Sequence, residues 1–409
     1  MTLRTLADRL ADLRAVRPPS TDRPARPPND RAASLARWFG ARLAVAGDGA
    51  AVLVERSVTL GPDVSQALGA LAPATYFDTE TTGLSTGAGT MVFLAGLGHV
   101  VGEQLVVRQL LLPDYPHETA LLRQVAAELS ARTRMVTYNG RGFDMPLLSA
   151  RLTLNGLFGE LASLPPSHDD LLPVARRLFR RPLGGARLAD VEAGVLGVRR
   201  TSDCPSSEVP ARYFGYLRGG TPDLLAEVLD HNLQDIASLA LLEALVMQLL
   251  EGGWRDAGIL DRHGMAVELL RHGAPEEALE LVEGAPSLTL DPTEAMALRR
   301  LATRLLLASG EVDRAEALWT AGTRRASADA AAAWIEVARI RERHRGDLDG
   351  ALEAVSAASR VLDLAFALGR GGGMQVLGAV RLRVDSRRRR LRSWVAAAER
   401  RAAGKRRIA

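Results

Sequence analysis

Two residue types are almost missing from this 409-residue chain: Cys204 is the single cysteine and Lys405 the single lysine. One cysteine excludes an intrachain disulfide and any zinc cluster built from several cysteines. Aromatic residues make up only 4% of the chain. No long apolar run is present either. The most apolar stretch, Ile236 to Leu250, is broken by Glu243 and Gln248. It is shorter than the ~20 residues that cross a bilayer, so it predicts a buried helix and no membrane partner. Met1 to Val16 carries Asp8 and Asp12 and lacks an apolar core. A secretory signal is therefore not expected, and a reducing cytoplasm is the expected compartment.

What is present is ample apolar material, at 47% of residues, and 52 basic against 48 acidic side chains, a net +4. The length suits two or three domains at roughly 100–200 residues each. The near-exclusive use of Arg reads as codon bias, so basicity alone says little about nucleic acid.

Leu3, Leu6, Leu10 and Leu13 recur at helical spacing and predict a short N-terminal helix. Five prolines between Arg17 and Arg31 then predict a linker. Ser34 to Leu60 reads as a helix and one or two short strands around Ala50 to Glu55. From Ala74 the pattern becomes α/β. Short strands are predicted at Thr75 to Asp78 and Met135 to Tyr138, and a hairpin at Met91 to Val100 with Gln104 to Leu112. Helices are predicted at His117 to Arg132, Phe143 to Leu154, Leu171 to Arg180, Arg187 to Leu196 and Leu224 to Leu250.

After Gly253 strand signals cease. Gly273, Gly310 and Gly346 are each followed five residues later by an alanine (Ala278, Ala315, Ala351), at spacings of 37 and 36 residues. A mid-thirties period of helix, Gly turn and helix resembles a tetratricopeptide array, a possible site for a protein partner; a generic helical bundle is the alternative reading. From Arg381 to Ala409 there are 12 Arg or Lys against two acids, a net +10, so the preceding residues carry −6. Such a segment reads either as a phosphate-binding element or as a solvated tail. The expected domains are thus 1–33 (helix and linker), 34–73 (extension), 74–252 (α/β), 253–370 (helical repeats) and 371–409 (Gly-rich hinge and basic tail).

The chemistry concentrates in Phe77-Asp78-Thr79-Glu80-Thr81-Thr82-Gly83-Leu84. Strand residues i and i+2 share a face, so Asp78 and Glu80 project together. Two carboxylates at an apolar strand end repel unless a cation lies between them, and a hard divalent ion meets that need.

This stretch resembles the first motif of the DEDD superfamily of 3′–5′ exonucleases, which have a ribonuclease H-like fold. The second motif is matched by Asn139-Gly-Arg-Gly-Phe-Asp144 and the third by His231-Asn-Leu-Gln-Asp235. The string from Tyr76 to Leu250 resembles the YprB-type ribonuclease H-like proteins, which often carry tetratricopeptide-like repeats after the nuclease domain. The resemblance implies a mixed sheet flanked by helices and a helical repeat domain behind it. It also implies two Mg²⁺ or Mn²⁺ ions held by Asp78, Glu80, Asp144 and Asp235. His231 would serve as general base, and Thr81 and Leu84 would contact the terminal nucleotide. In the superfamily's His branch four residues separate His from Asp, and in its Tyr branch three residues separate Tyr from Asp. This chain joins His identity to Tyr-branch spacing. At i, i+4 the two side chains lie roughly 40° apart around a helix and share a face. Tyr138 and Asn139 are further candidates for lining the cleft. Asp170 is expected either as a helix cap or as support for the metal site, since similar proteins carry an acid there. Asp203 to Tyr216 reads as a covering loop or a packing aromatic pair. Besides an exonuclease acting on DNA or RNA, a nucleic-acid-binding scaffold and a structure-specific endonuclease share this fold.

Overall fold

The computed structural model describes residues 28–83, 89–198, 200, 204–284, 292–323, 327–369 and 374–406. The predicted N-terminal helix and Leu84 lie outside these. The described chain opens with α1 (Pro28–Trp38), β1 (Arg42–Ala46), β2 (Gly49–Thr59), α2 (Pro62–Gly69) and β3 (Ala74–Thr81). There follow β4 (Val92–Val101), β5 (Gln104–Leu111), α3 (Glu118–Ser130), β6 (Arg134–Thr137), α4 (Asp144–Leu154), α5 (Phe158–Ala162) and β7 (Ser167–Asp170). Next are α6 (Leu171–Leu178), α7 (Arg180–Leu183), α8 (Leu188–Val191), α9 (Val209–Leu217) and α10 (Ala226–Leu250). The seven last helices are α11 (Arg262–Arg271), α12 (Pro275–Gly284), α13 (Pro292–Ala308), α14 (Val312–Thr320), α15 (Ala328–Ile340), α16 (Leu348–Ala367) and α17 (Met374–Arg406).

The seven strands form one sheet in the order β1-β2-β5-β4-β3-β6-β7. Pairing is antiparallel from β1 to β3, and β3, β6 and β7 run parallel. Three antiparallel strands, a helix, a parallel strand, a helix and another parallel strand is the order the ribonuclease H-like resemblance implies. The predicted hairpin closes at Gly102, whose φ of +61° suits a residue without Cβ.

Several sequence expectations are corrected. The linker ends earlier than its prolines suggested, because Pro28 sits in the first helical turn, where a missing N–H costs nothing. Ser167-His-Asp-Asp170, just ahead of the predicted helix at Leu171 and not expected as a strand, is the edge strand β7; backbone pairing to β6 overrides its polar composition. Asp203 to Tyr216 is no covering loop in its described part. Tyr213 is buried in α9, stacks on Phe93 at 4.2 Å and donates its hydroxyl proton to the Leu112 carbonyl. The apolar run ending at Leu250 belongs to a longer helical segment, Pro222–Leu250, which by length and composition reaches the size of a membrane span. Val228, Leu229, Ile236, Leu239, Ala240 and Leu242 on it are nonetheless buried in the protein.

Packing divides the chain into two compact units. One holds the described residues up to Leu171 together with Val198–Ala244; the other holds Leu172–Gly197 with Leu245 onward. The predicted α/β segment therefore lends a stretch, 172–197, to the helical unit. In that unit Gly273, Gly310 and Gly346 adopt φ values of +77°, +81° and +67°, the left-handed conformation that ends a helix. Ala278, Ala315 and Ala351 are fully buried. The sequence pattern thus marks helix–turn–helix joints. Trp319 fills the core between them and donates its indole N–H to Thr303 Oγ1 at 2.8 Å.

The residues expected to form a basic tail lie largely in α17, and Leu377, Val380, Val384 and Leu391 bury one side of that helix in the helical unit's core.

The sheet meets α10 through a strip of glycine. Gly96 and Gly98 on β4 pair with Asp78 and Tyr76 on β3. A Cβ at Gly96 would lie 2.2 Å from Asn232 Oδ1, and one at Gly98 2.5 Å from Ile236 Cγ2. Residues i, i+2 on a strand and i, i+4 on a helix both advance about 6 Å, so one helix face seats directly on the strip. Asn232 is fully buried and cannot swing away. Gly96→Ala is expected to destabilise the α/β unit by about 1–3 kcal/mol through overpacking. Urea melts of the purified full-length variant, followed by circular dichroism, check this; an unchanged midpoint would show that the strip is not under tension.

Candidate nuclease site

Asp78 and Glu80 leave the same face of β3 near its end, where the register with β4 shifts after Glu80. Asp144 opens α4 after the loop that follows β6, and His231 and Asp235 lie one turn apart on α10. All gather beyond the carboxyl ends of the parallel strands, the usual place for ligands in sheets with parallel strands.

The structure draws Glu80, His231 and Asp235 together most closely: one ligand atom from each lies within 4.8 Å of the others. His231 Nε2 is 3.7 Å from Glu80 Oε1 and 3.5 Å from Asp235 Oδ2. Asp78 and Asp144 flank this trio, each held by its own support. The Asn232 amide donates to Asp78 Oδ2 at 2.9 Å, and Gln109 Nε2 donates to Asn232 Oδ1 at 3.0 Å and to the Leu229 carbonyl at 2.7 Å. Asp78, Gly96 and Gln109 stand in register across three strands. A buried polar row thus locks α10 to the sheet and orients Asp78. On the opposite face Thr79 donates to Asp144 Oδ1.

The loop between β6 and Asp144 is fixed as well. Among the described residues, Asn139 is the one non-glycine with positive φ, at 67°. The Asp170 carboxylate accepts the backbone N–H of Asn139 at 2.8 Å and of Arg141 at 3.1 Å. Asp170 therefore steadies the loop that delivers Asp144. Of the other predicted residues, Thr81 is buried and donates to the Gly83 carbonyl at 2.7 Å, Tyr138 is half-buried, and Asn139 is exposed at the end of β6.

Like charges in a buried cleft shape the electrostatics. Burial, then the carboxylates of Asp235, Asp144 and Glu80, push the Asp78 carboxyl well above the ordinary range, with the Asn232 hydrogen bond opposing. Burial, Asp235 and Asp144 raise Glu80 likewise, while Arg200 opposes. Asp144 is raised to about 6, mainly by burial, against the hydrogen bond from Thr79. Such shifts mean that the protein's own groups, Arg200 included, do not fully compensate the charged carboxylates. The donor set of buried carboxylates with one imidazole suits a hard divalent ion.

Arg200, Asn232, Thr79 and Gln109 are the contributors that sequence reasoning passed over. Arg200 donates to Asp235 Oδ1 and to His231 Nδ1, the latter at 3.1 Å. A guanidinium can only donate, so Nδ1 is the acceptor and the proton of a neutral His231 sits on Nε2, facing Glu80 and Asp235. Gln109 carried a readable signal, a polar residue at a buried position of an apolar strand. Asn232 carried one too, sharing a helix face with Asp235 at i, i+3. Nothing in the sequence around Arg200 separates it from the chain's other arginines.

Comparison with known proteins bears on the α/β domain that carries this site. The model of the RNase_H superfamily family RNase_H_2 matches residues 75–247. The uncharacterized protein YprB of Bacillus subtilis (strain 168) is 37% identical over 210 residues, covering 51% of this chain and 50% of its own. The chain thus spans about half the length of that relative. Among solved structures, the family B DNA polymerase from the hyperthermophilic archaeon Pyrobaculum calidifontis aligns at 15% identity and a TM-score of 0.35. It covers 53% of this chain and 31% of the polymerase, a likeness too slight to carry an argument. The family match and the sheet order together give residues 75–247 a ribonuclease H-like fold.

Proposed function

We propose that the protein is a metal-dependent 3′–5′ exonuclease, hydrolysing phosphodiester bonds at single-stranded ends of DNA or RNA. The observation that carries this reading is the surplus of buried carboxylate: Asp78, Glu80, Asp144 and Asp235 converge, and the charges of the first three are held in check by their neighbours. Two Mg²⁺ or Mn²⁺ ions, when bound, would supply the missing charge, acidify a water and stabilise the leaving oxygen. The four carboxylates would hold them, with Asp78 at the centre.

The chain's own groups then divide the work. Asn232 aims Asp78 and Thr79 aims Asp144, while Asp170 holds the Asn139 loop. His231 accepts the proton of the attacking water at Nε2. That requires its own proton to move to Nδ1, and so requires Arg200 to leave Nδ1. A substrate phosphate offers Arg200 another partner. By resemblance Thr81 and Leu84 contact the terminal nucleotide, and Tyr138 and Asn139 line the cleft. The helical unit, read as tetratricopeptide-like from its glycine joints, offers a surface for a protein partner. Retention of all four carboxylates favours an enzyme over a scaffold.

Asp78→Ala is expected to abolish Mn²⁺-dependent release of mononucleotides from a 5′-labelled oligonucleotide. Full activity in that variant would refute the site, and internal fragments from the native protein would make it an endonuclease. A pH effect follows as well. The folded protein binds protons at Asp144 more tightly than the unfolded chain does. In EDTA its stability should therefore fall as pH rises from the ordinary carboxylate range through about 6. Divalent ions bind the deprotonated site, so the rise in Tm on adding Mn²⁺ should be larger at pH 7.5 than at pH 5. Thermal melts at both pH values check this. An equal shift at the two, or one unaffected by Asp144→Asn, would count against the metal site.

A further inference from the structure

We infer that the solvent face of α17 is a binding track for single-stranded nucleic acid. The arginines of this helix whose side chains are described fall into two sets. One set is neutralised: Arg381 pairs with Asp363, Arg388 with Asp385 at 3.3 Å, and Arg387 and the exposed Arg390 with Glu342 at 2.7 and 3.2 Å. Arg383, Arg389, Arg392 and Arg400 are exposed, and none has a carboxylate partner among the described residues.

At 100° per residue, Arg383, Arg390 and Trp394 fall within about 40° of one another. Arg389 and Arg400 form a second row on the other side of Ser386 and Ser393. Two rows of guanidinium groups therefore border a floor of small polar side chains. A surface hollow of about 360 Å³ opens at its start, lined by Ile335, Leu382, Arg383, Ser386, Arg387 and Arg390. Trp394 is 44% exposed, and the Arg390 guanidinium lies 5.1 Å from its ring centroid. An exposed aromatic in the same helical row as the unpaired Arg383 offers stacking and phosphate contact together, the pairing that holds single strands without reading sequence. From Arg383 to Arg400 the helix advances about 25 Å, room for several nucleotides.

The chemistry disfavours an anionic membrane surface. An interfacial helix inserts its apolar face, and here Leu377, Val380, Val384 and Leu391 are already committed to the protein core. The choice of nucleic acid among polyanions rests on the nuclease reading above.

The test uses the full chain in EDTA, so that binding is read without chemistry. Anisotropy of a fluorescein-labelled single-stranded oligonucleotide is followed against NaCl for the native protein, for Trp394→Ala, and for a variant with Arg383, Arg389, Arg392 and Arg400 each changed to Gln. The four-residue variant is expected to bind at least tenfold more weakly. Its log–log salt slope should be shallower by about 3, at roughly 0.7 for each phosphate no longer neutralised. Trp394→Ala is expected to weaken binding about tenfold with the slope retained. These exposed changes spare the buried side of the helix, and matching circular dichroism melts establish that the variants fold. Unchanged oligonucleotide binding in both folded variants overturns the proposal. So does tighter binding of the native protein to phosphatidylglycerol vesicles than to the oligonucleotide. If the native protein releases no mononucleotides in Mn²⁺ but loses oligonucleotide binding in the variants, the nuclease reading falls and the track stands. If it releases mononucleotides while the variants bind as the native protein does, the track falls and the nuclease reading stands.

Discussion

The approach of α10 to the sheet governs the acidic cleft. That helix carries His231, Asn232 and Asp235, and its distance from β3 decides whether these side chains reach Asp78 and Glu80. Ordinary side chains on β4 would hold it away. Gly96 and Gly98 remove the obstacle, and a Cβ on either would intrude on Asn232 or Ile236. The close approach then leaves polar groups buried, and Gln109 and Asn232 satisfy one another across it. The same bond network that lets the helix dock also sets the direction of the Asp78 carboxylate. Packing and site geometry are therefore one constraint here, and a change at Gly96 acts on both.

Charge balance is the second organising term. Four carboxylates and one guanidinium cannot all be content in a low-dielectric cleft, and the raised Asp78, Glu80 and Asp144 carboxyls record the imbalance. Arg200 compensates Asp235 in part, and in doing so fixes the tautomer of His231. Base competence and charge compensation are thus linked through one side chain. This bears on the mixture of His identity with Tyr-branch spacing. At i, i+4 the imidazole stacks along its own Asp on the helix, 3.5 Å away, and faces Glu80 as well. The spacing does bring the imidazole to the carboxylates, but as a donor while Arg200 is in place.

Much of this was legible in the sequence because it depends on local rules. Strand parity put Asp78 and Glu80 on one face, helical spacing joined His231 to Asp235, and the glycine–alanine pattern marked the turns at Gly273, Gly310 and Gly346. What escaped depends on partners distant in the chain. Ser167 to Asp170 has no strand-forming composition and is a strand because β6 pairs with it. The role of Asp170 appears only when the Asn139 loop is brought beside it by that parallel pairing. Arg200 lies 31 residues from His231, with no periodic relation to it. Tyr213 was an aromatic of either fate until Phe93 supplied a ring to stack upon.

The basic C-terminal segment shows why net charge must be resolved side chain by side chain. Its +10 treated as a disordered tail would be a uniform cloud, removable without consequence for the fold. Folded as α17 it cannot be removed so simply, since Val384 and Leu391 from it complete a core. The carboxylates of Glu342, Asp363 and Asp385 neutralise arginines next to that core, where unpaired charge would cost most. The unpaired arginines are consequently confined to the solvent side, and their charge acts outward. A helix anchored on one face and unneutralised on the other holds its cations at fixed spacing, which a flexible tail of equal charge would not.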